Sequence, residues 1–197
     1  MTPSITQASY RRLLWGVALT GTLLDQVTKY SVFAWLRNDA DPTEGSYQVI
    51  PGAFRLLAQY QEVGGRWVPK VNHGALFGLG GEYAALANAV FAGVSVLAAV
   101  AILVWSLRRS TARDVALCTS LGLILAGTVG NLYDRLLFGG VRDFLHFYWF
   151  EWPVFNVADC CLVCGAGLLL AQAFLSRAPS SHPTVEVARA SQMVEAH

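Results

Sequence analysis

The chain has 197 residues, of which 54% are hydrophobic and only 14% charged, against roughly 25% charged in an ordinary soluble domain. That deficit argues against a soluble globular domain, and because the charges are missing in blocks the chain divides into membrane-length segments and connectors. A formal net charge of +1 with a mean hydropathy of +0.44 leaves no global basic field, so nucleic acid is excluded as a partner.

In chain order, the first apolar stretch runs over 13–36 and is interrupted by Asp25 and Lys29, whose spacing of four places them on one helix face. Arg11 and Arg12 precede it as the n-region of a signal peptide would, but no small-residue cleavage site follows. The connector 37–82 carries Pro42, Gly45, Pro51, Gly52, Gly64, Gly65 and Pro69 as breakers around the pieces YQVI and FRLLAQY, which predicts a small sheet on the outer membrane surface. Between Glu82 and Arg108 lie 25 uncharged residues, enough at about 1.5 Å per residue to cross a hydrocarbon core of roughly 30 Å. Further spans are expected over 115–135 and 154–176, the latter with Asp159 as its only charge. The polar tail 178–197 is expected to be disordered.

The predicted fold class is therefore an all-α integral membrane protein: a four-transmembrane-helix bundle with a small β-rich extracytoplasmic loop region, forming one domain over 1–177. Arg11, Arg12, Arg108, Arg109, Arg113 and Arg177 fall on one side of this arrangement, which makes that side cytoplasmic and places both termini there. Gly93, Gly122, Gly127, Gly165 and Gly167 are expected to let the helices approach closely.

Ionisable residues within spans are costly in hydrocarbon and so point to function. Asp25 with Lys29, Asp134 with Arg135, Asp143, and Asp159 all fall at or near the outer face. In FNVAD, Asn156 and Asp159 share a helix face, which suits either orientation of the carboxylate by the amide or plain helix capping. Asp143 alone reads as a loop acid paired with Arg142 or Arg135. Taken together, two carboxylates at one partly desolvated interface cannot both ionise cheaply, and a shared proton with a water between them is the arrangement of an aspartic protease.

The segments DQVTK (25–29), NHGALFG (72–78), GNLYDR (130–135), VRDF (141–144) and FNVAD (155–159) closely resemble, in order, the signature segments of bacterial lipoprotein signal peptidase, or signal peptidase II. The resemblance implies an intramembrane aspartyl endopeptidase of the bacterial inner membrane that cuts prolipoproteins before a diacylglyceryl-modified cysteine. It implies a catalytic dyad of Asp143 and Asp159 near the periplasmic face, support from Asn156, and a cleft lined by Asn131 and Arg135. It also implies a substrate-contacting element at Asn72 and Gly74 and a structural pair in Asp25 and Lys29. No metal or cofactor is expected; the partners are diacylglyceryl-modified prolipoproteins and membrane lipids, and a monomer is expected.

Two departures from the family pattern stand out. Arg142 replaces a small apolar residue and is expected to lower the pKa of the adjacent Asp143, and QEVGGRWVPK reads as an insertion in the outer loop. Asp134 is expected to pair with a nearby cation. Cys118, Cys160, Cys161 and Cys164 read as buried packing residues, since two cysteines three apart on one helix have poor disulfide geometry. That weakens an alternative reading as a four-helix membrane thiol oxidoreductase. A non-enzymatic scaffold or transporter is disfavoured because the polar residues cluster at one face and do not line a path across the bilayer.

Overall fold

The structure, a computed structural model, describes residues 9–74, 83–150 and 152–175. In chain order its elements are α1 (Arg11–Trp35), β1 (Glu44–Ile50), β2 (Phe54–Val63), β3 (Arg66–Pro69), α2 (Ala84–Ser106), α3 (Arg109–Ala112), α4 (Val115–Phe138), β4 (Leu145–Phe147) and α5 (Val157–Leu175). The expected tail, and Ala75 to Gly78 of NHGALFG, lie outside the described residues.

Four long helices occupy the four apolar stretches, and three of them, α2, α4 and α5, are long and apolar enough to cross a membrane. Helix α1 has ample length at 25 residues but carries Arg11, Arg12, Asp25 and Lys29. The expected β-rich region is a four-stranded antiparallel sheet in the order β1-β2-β3, with β4 also pairing to β2, so the all-α description holds for the helical bundle and not for the whole chain. Its fourth strand comes from the segment after α4, beyond the 37–82 connector, because Leu145 and Phe147 offer apolar side chains to the sheet edge left open beside Leu56 and Phe54.

Helix α4 is the centre of the bundle: α1, α5 and α2 all pack against it, and Ile102 of α2 shares a core with Leu14 and Ala18 of α1 and Cys118, Leu121 and Leu125 of α4. Small residues set how closely they meet. A methyl group added at Gly21 would lie 2.7 Å from Ala126 Cβ, one at Gly122 would lie 2.8 Å from the Leu14 carbonyl oxygen, and one at Gly165 would lie 2.9 Å from the Ser120 carbonyl oxygen. Gly127 faces the Ala158 carbonyl in the same way, whereas Gly93 and Gly167 have no neighbour within 4 Å and do not serve as helix contacts. The buried positions of α1, namely Leu14, Ala18, Gly21, Asp25, Lys29, Val32 and Phe33, recur every three or four residues as one stripe. Outward faces are apolar instead, with Leu19, Leu23, Val27, Val90, Val94, Leu97, Leu170 and Phe174 exposed, as a hydrocarbon solvent requires.

The sheet is seated on the end of α1. Val32, Phe33 and Leu36 of that helix form a core with Ala58 and Phe144, flanked by Leu56, Tyr60, Leu145 and Val157. The Tyr60 hydroxyl donates to the Phe33 carbonyl oxygen left free near the helix end. The QEVGGRWVPK segment forms the β2–β3 hairpin, in which Gly64 and Gly65 take φ of 57° and 76° as a two-residue turn of this hand demands. The sheet thus gathers at the end of the bundle where α1 and α4 finish and α5 begins.

Candidate active site

Two short backbone pairings bring the site together. Asn72 and Val141 exchange amide hydrogen bonds of 2.7 and 2.9 Å, and Leu145 pairs with Phe155. Asp143 lies between these two pairings, so Asn72 comes beside it from one side and Asn156 from the other. Neither proximity follows from sequence spacing, since Asn72 is 71 residues away.

Asn156 and Asp159 form a capping box at the start of α5: the Asn156 side-chain oxygen accepts from the Asp159 amide at 3.0 Å, and Asp159 Oδ2 accepts from the Asn156 amide at 3.1 Å. The capping and functional readings of FNVAD are therefore realised by the same atoms. Capping locks both side chains and leaves Asn156 Nδ2 free to donate to Asp143 Oδ1 at 2.7 Å and to Asn131 Oδ1 at 3.2 Å. Asn131 on α4 donates to Asp159 Oδ1 at 2.8 Å, and Asn72 donates to Asp143 Oδ2 at 3.0 Å. All four carboxylate oxygens are engaged, and Asn156 touches both acids.

Burial pushes the Asp143 carboxyl up to about 6, opposed by the Asn72 hydrogen bond, reinforced by the neighbouring Asp159 charge and opposed again by Asn156. The folded protein thus holds this proton to about pH 6, while the unfolded carboxyl releases it near 3.8. Between those values the native state binds more protons, so stability falls as pH rises through the window, by at most about 3 kcal/mol. Unfolding in detergent at pH 4 and pH 7 should register this decline, and Asp143→Asn should flatten it; an unchanged slope would show that Asp143 is not its source.

Beneath Asp143 and Asp159 lies a buried ionic network. Lys29 Nζ is 2.8 Å from Asp25 Oδ2 and 3.5 Å from Asp134 Oδ2, and it donates to Asn131 Oδ1 at 3.1 Å. Arg142 binds Asp134 through Nη2 at 2.9 Å, Nε at 3.2 Å and its own backbone amide at 2.9 Å. Gln26 ties the two pairs together by donating to Asp25 and Asp134 and accepting from Arg142. Asp25 also accepts the Ala158 amide of α5 at 2.9 Å. Two acids and two cations balance, which permits them to be fully buried.

This network corrects one expectation and completes two others. Arg142 does not sit against Asp143 to lower its pKa: its guanidinium turns inward to Asp134 and packs 4.2 and 4.1 Å from the Tyr30 and Phe138 ring centroids. Asp134 has the cation partner expected of it, and a second in Lys29. Asp25 and Lys29 brace α1 against α4 and α5, and through Asn131 they also support Asp159.

Of the other expected site residues, Gly74 takes φ of +96°, which lets its amide donate to Asn72 Oδ1 at 2.8 Å and hold that side chain toward Asp143. Arg135 makes no hydrogen bond to the carboxylates among the described residues. Its guanidinium lies 4.7 Å from the Phe91 ring centroid, and Nη1 is 3.4 Å from Asn88 Oδ1. Sequence reasoning missed Gln26 and Asn88. Gln26 lay inside a segment already singled out, and Asn88 is the one amide or charged side chain in α2, which is a legible signal in a helix otherwise made of apolar and small residues.

The cysteines are all free. Cys118 is buried as expected, but Cys160 and Cys164 are exposed on the outer face of α5 and do not pack in the core. Among the described residues no three His, Cys, Asp or Glu side chains are disposed to hold a metal ion.

A family model described as Signal peptidase (SPase) II matches residues 17–175. The chain belongs to the signal peptidase II family. Lipoprotein signal peptidase of Rhodopirellula baltica is 37% identical over 178 residues, covering 82% of this chain and 71% of that protein. The Nitratidesulfovibrio vulgaris enzyme is 39% identical over 172 residues, covering 86% and 92%, and that of Symbiobacterium thermophilum is 38% identical over 156 residues, covering 78% and 88%. Two solved structures of a bacterial membrane enzyme share the fold, with TM-scores of 0.68 and 0.66 at 22% and 23% identity, covering 90% and 86% of this chain and 96% and 97% of theirs. The signal peptidase II match spans Asp25, Gln26, Lys29, Asn72, Asn131, Asp134, Arg142, Asp143, Asn156 and Asp159.

Proposed function

We propose that this chain is an intramembrane aspartyl endopeptidase that removes signal peptides from prolipoproteins, cutting before the diacylglyceryl-modified cysteine, with Asp143 and Asp159 as its catalytic pair. The observation that carries the chemistry is Asn156 bridging both carboxylates, by its side chain to Asp143 and its backbone amide to Asp159. Asp143, whose burial favours the protonated form, serves as the acid, and Asp159 as the base. Asp159 takes a proton from a water as its oxygen attacks the scissile carbonyl carbon, while Asp143 protonates the carbonyl oxygen. The resulting diol collapses, the carbon–nitrogen bond breaks, and the leaving nitrogen receives a proton from the dyad. Asn72 and Asn131 hold the outer oxygens, so little reorganisation is needed during the reaction.

In this reading α1 is a fourth membrane crossing. Its charges at 25 and 29 are neutralised inside the bundle, and its outward face is apolar. Residues 1–177 then form one membrane domain with both termini in the cytoplasm and the dyad near the outer face, in keeping with the Arg-rich α2–α4 connector. The form proposed is a monomer embedded in bilayer lipid.

Purified protein in detergent should cut a diacylglyceryl-modified prolipoprotein immediately before the lipidated cysteine and leave the unmodified precursor intact. Failure on a verified substrate would overturn the reading. Equal cleavage of both precursors would remove lipid from the recognition rule.

A further inference from the structure

Helix α2 is the least embedded of the long helices, with only Ile102 and Ser106 fully buried, both far from the dyad. Toward its other end it reaches the site through two side chains. Asn88 and Arg135 pair reciprocally: Asn88 Nδ2 donates to the Arg135 carbonyl oxygen at 3.2 Å, and Arg135 Nη1 approaches Asn88 Oδ1 at 3.4 Å. One turn on, Phe91 holds the Arg135 guanidinium against its ring at 4.7 Å from the centroid. The same ring abuts Gly74, where an added methyl group would collide with its Cε2 and Cδ2 atoms.

We infer that Asn88 and Phe91 are positioning residues that join Arg135 on α4 and the Asn72–Gly74 segment into one wall beside the dyad. This inference rests on the proposed endopeptidase activity. An amide within an otherwise apolar candidate span is costly unless paired, and Asn88 spends its amide on both the backbone and the guanidinium of one residue. Pairing with Asn88 and contact with Phe91 hold a flexible, charged side chain in one direction before substrate arrives, so its ordering need not be supplied by binding. Through Gly74, whose amide holds Asn72, the ring of Phe91 also bears on the amide that donates to Asp143. Any tilt of α2 would move Arg135 and Asn72 together. Only Gly leaves room for this contact at position 74, which gives that glycine a packing role in addition to its positive φ.

The test is a double-mutant cycle on the purified full chain with a diacylglyceryl-modified prolipoprotein. Asn88→Leu keeps the branched shape but cannot pair, and it should lower kcat/KM about tenfold while wild-type thermal unfolding is retained; Phe91→Leu should do likewise. In an Arg135→Ala background, Asn88→Leu should cost no more than about twofold, because the side chain it positions is gone. Asn88→Asp, which still faces the guanidinium but loses the donor to the Arg135 carbonyl oxygen, should restore part of the activity lost in Asn88→Leu, and no recovery at all would count against a role through the guanidinium. Val90→Ala, on the exposed face of the same turn, should leave activity unchanged. Additive losses in the cycle, or full activity of Asn88→Leu, would overturn the inference while leaving the endopeptidase reading intact. Absence of cleavage by the wild type would overturn that reading instead.

Discussion

Asp143→Asn and Asp159→Asn should each reduce prolipoprotein cleavage by about a thousandfold or more, with the protein still folded. Removing either carboxyl leaves the other unable to act as both acid and base. Asparagine keeps the volume and one acceptor oxygen but can neither take nor give a proton at working pH. Because Asp159 is also half of the α5 capping box, its variant should lose about 1 kcal/mol of stability in addition to activity. Thermal unfolding beside single-turnover cleavage separates these effects. Near-normal turnover in either variant would remove that aspartate from the dyad.

The second large effect is on stability. Asp134→Leu should destabilise the protein by about 3–5 kcal/mol, because Asp25 still balances Lys29 but Arg142 is left as an unbalanced buried cation. It also strips the Arg142 backbone amide of its acceptor. Asp134→Leu combined with Arg142→Met should be distinctly milder than Asp134→Leu alone, since only the balanced pair of Asp25 and Lys29 then remains and the apolar Met stem can lie between Tyr30 and Phe138. Denaturation in detergent gives the comparison. A double variant as unstable as the single one would mean that packing, and not charge balance, dominates at this position. Loss of the network should reach the dyad as well, because Lys29 donates to the Asn131 oxygen while the nitrogen of that amide holds Asp159.

Long apolar runs, their flanking charges and the breakers between them determined by themselves that this is a membrane protein of four long helices with a sheet at one end. Those features are local: a span needs only length and freedom from charge, and a hairpin needs only its turn residues. Asp143 and Asp159 were singled out by the order of the family-like segments around them, since by residue type alone Asp143 reads as a loop acid and Asp159 as a helix-capping one. Where a side chain points was decided by tertiary structure alone. Arg142 adjoins Asp143 in sequence, yet it turns inward to Asp134, because a buried cation must find a balancing anion and helix α4 presents a fully buried one eight residues back. Asn72, Asp143 and Asn156 converge only because backbone pairings at 72–141 and 145–155 hold three distant segments together. Asn88 gained its meaning in the same way, from the arginine that helix packing brought beside it. Sequence spacing predicts neighbours within a helix, whereas contacts between helices depend on which glycines and alanines let two backbones meet, and Gly122 and Gly165 do so while Gly93 and Gly167 do not.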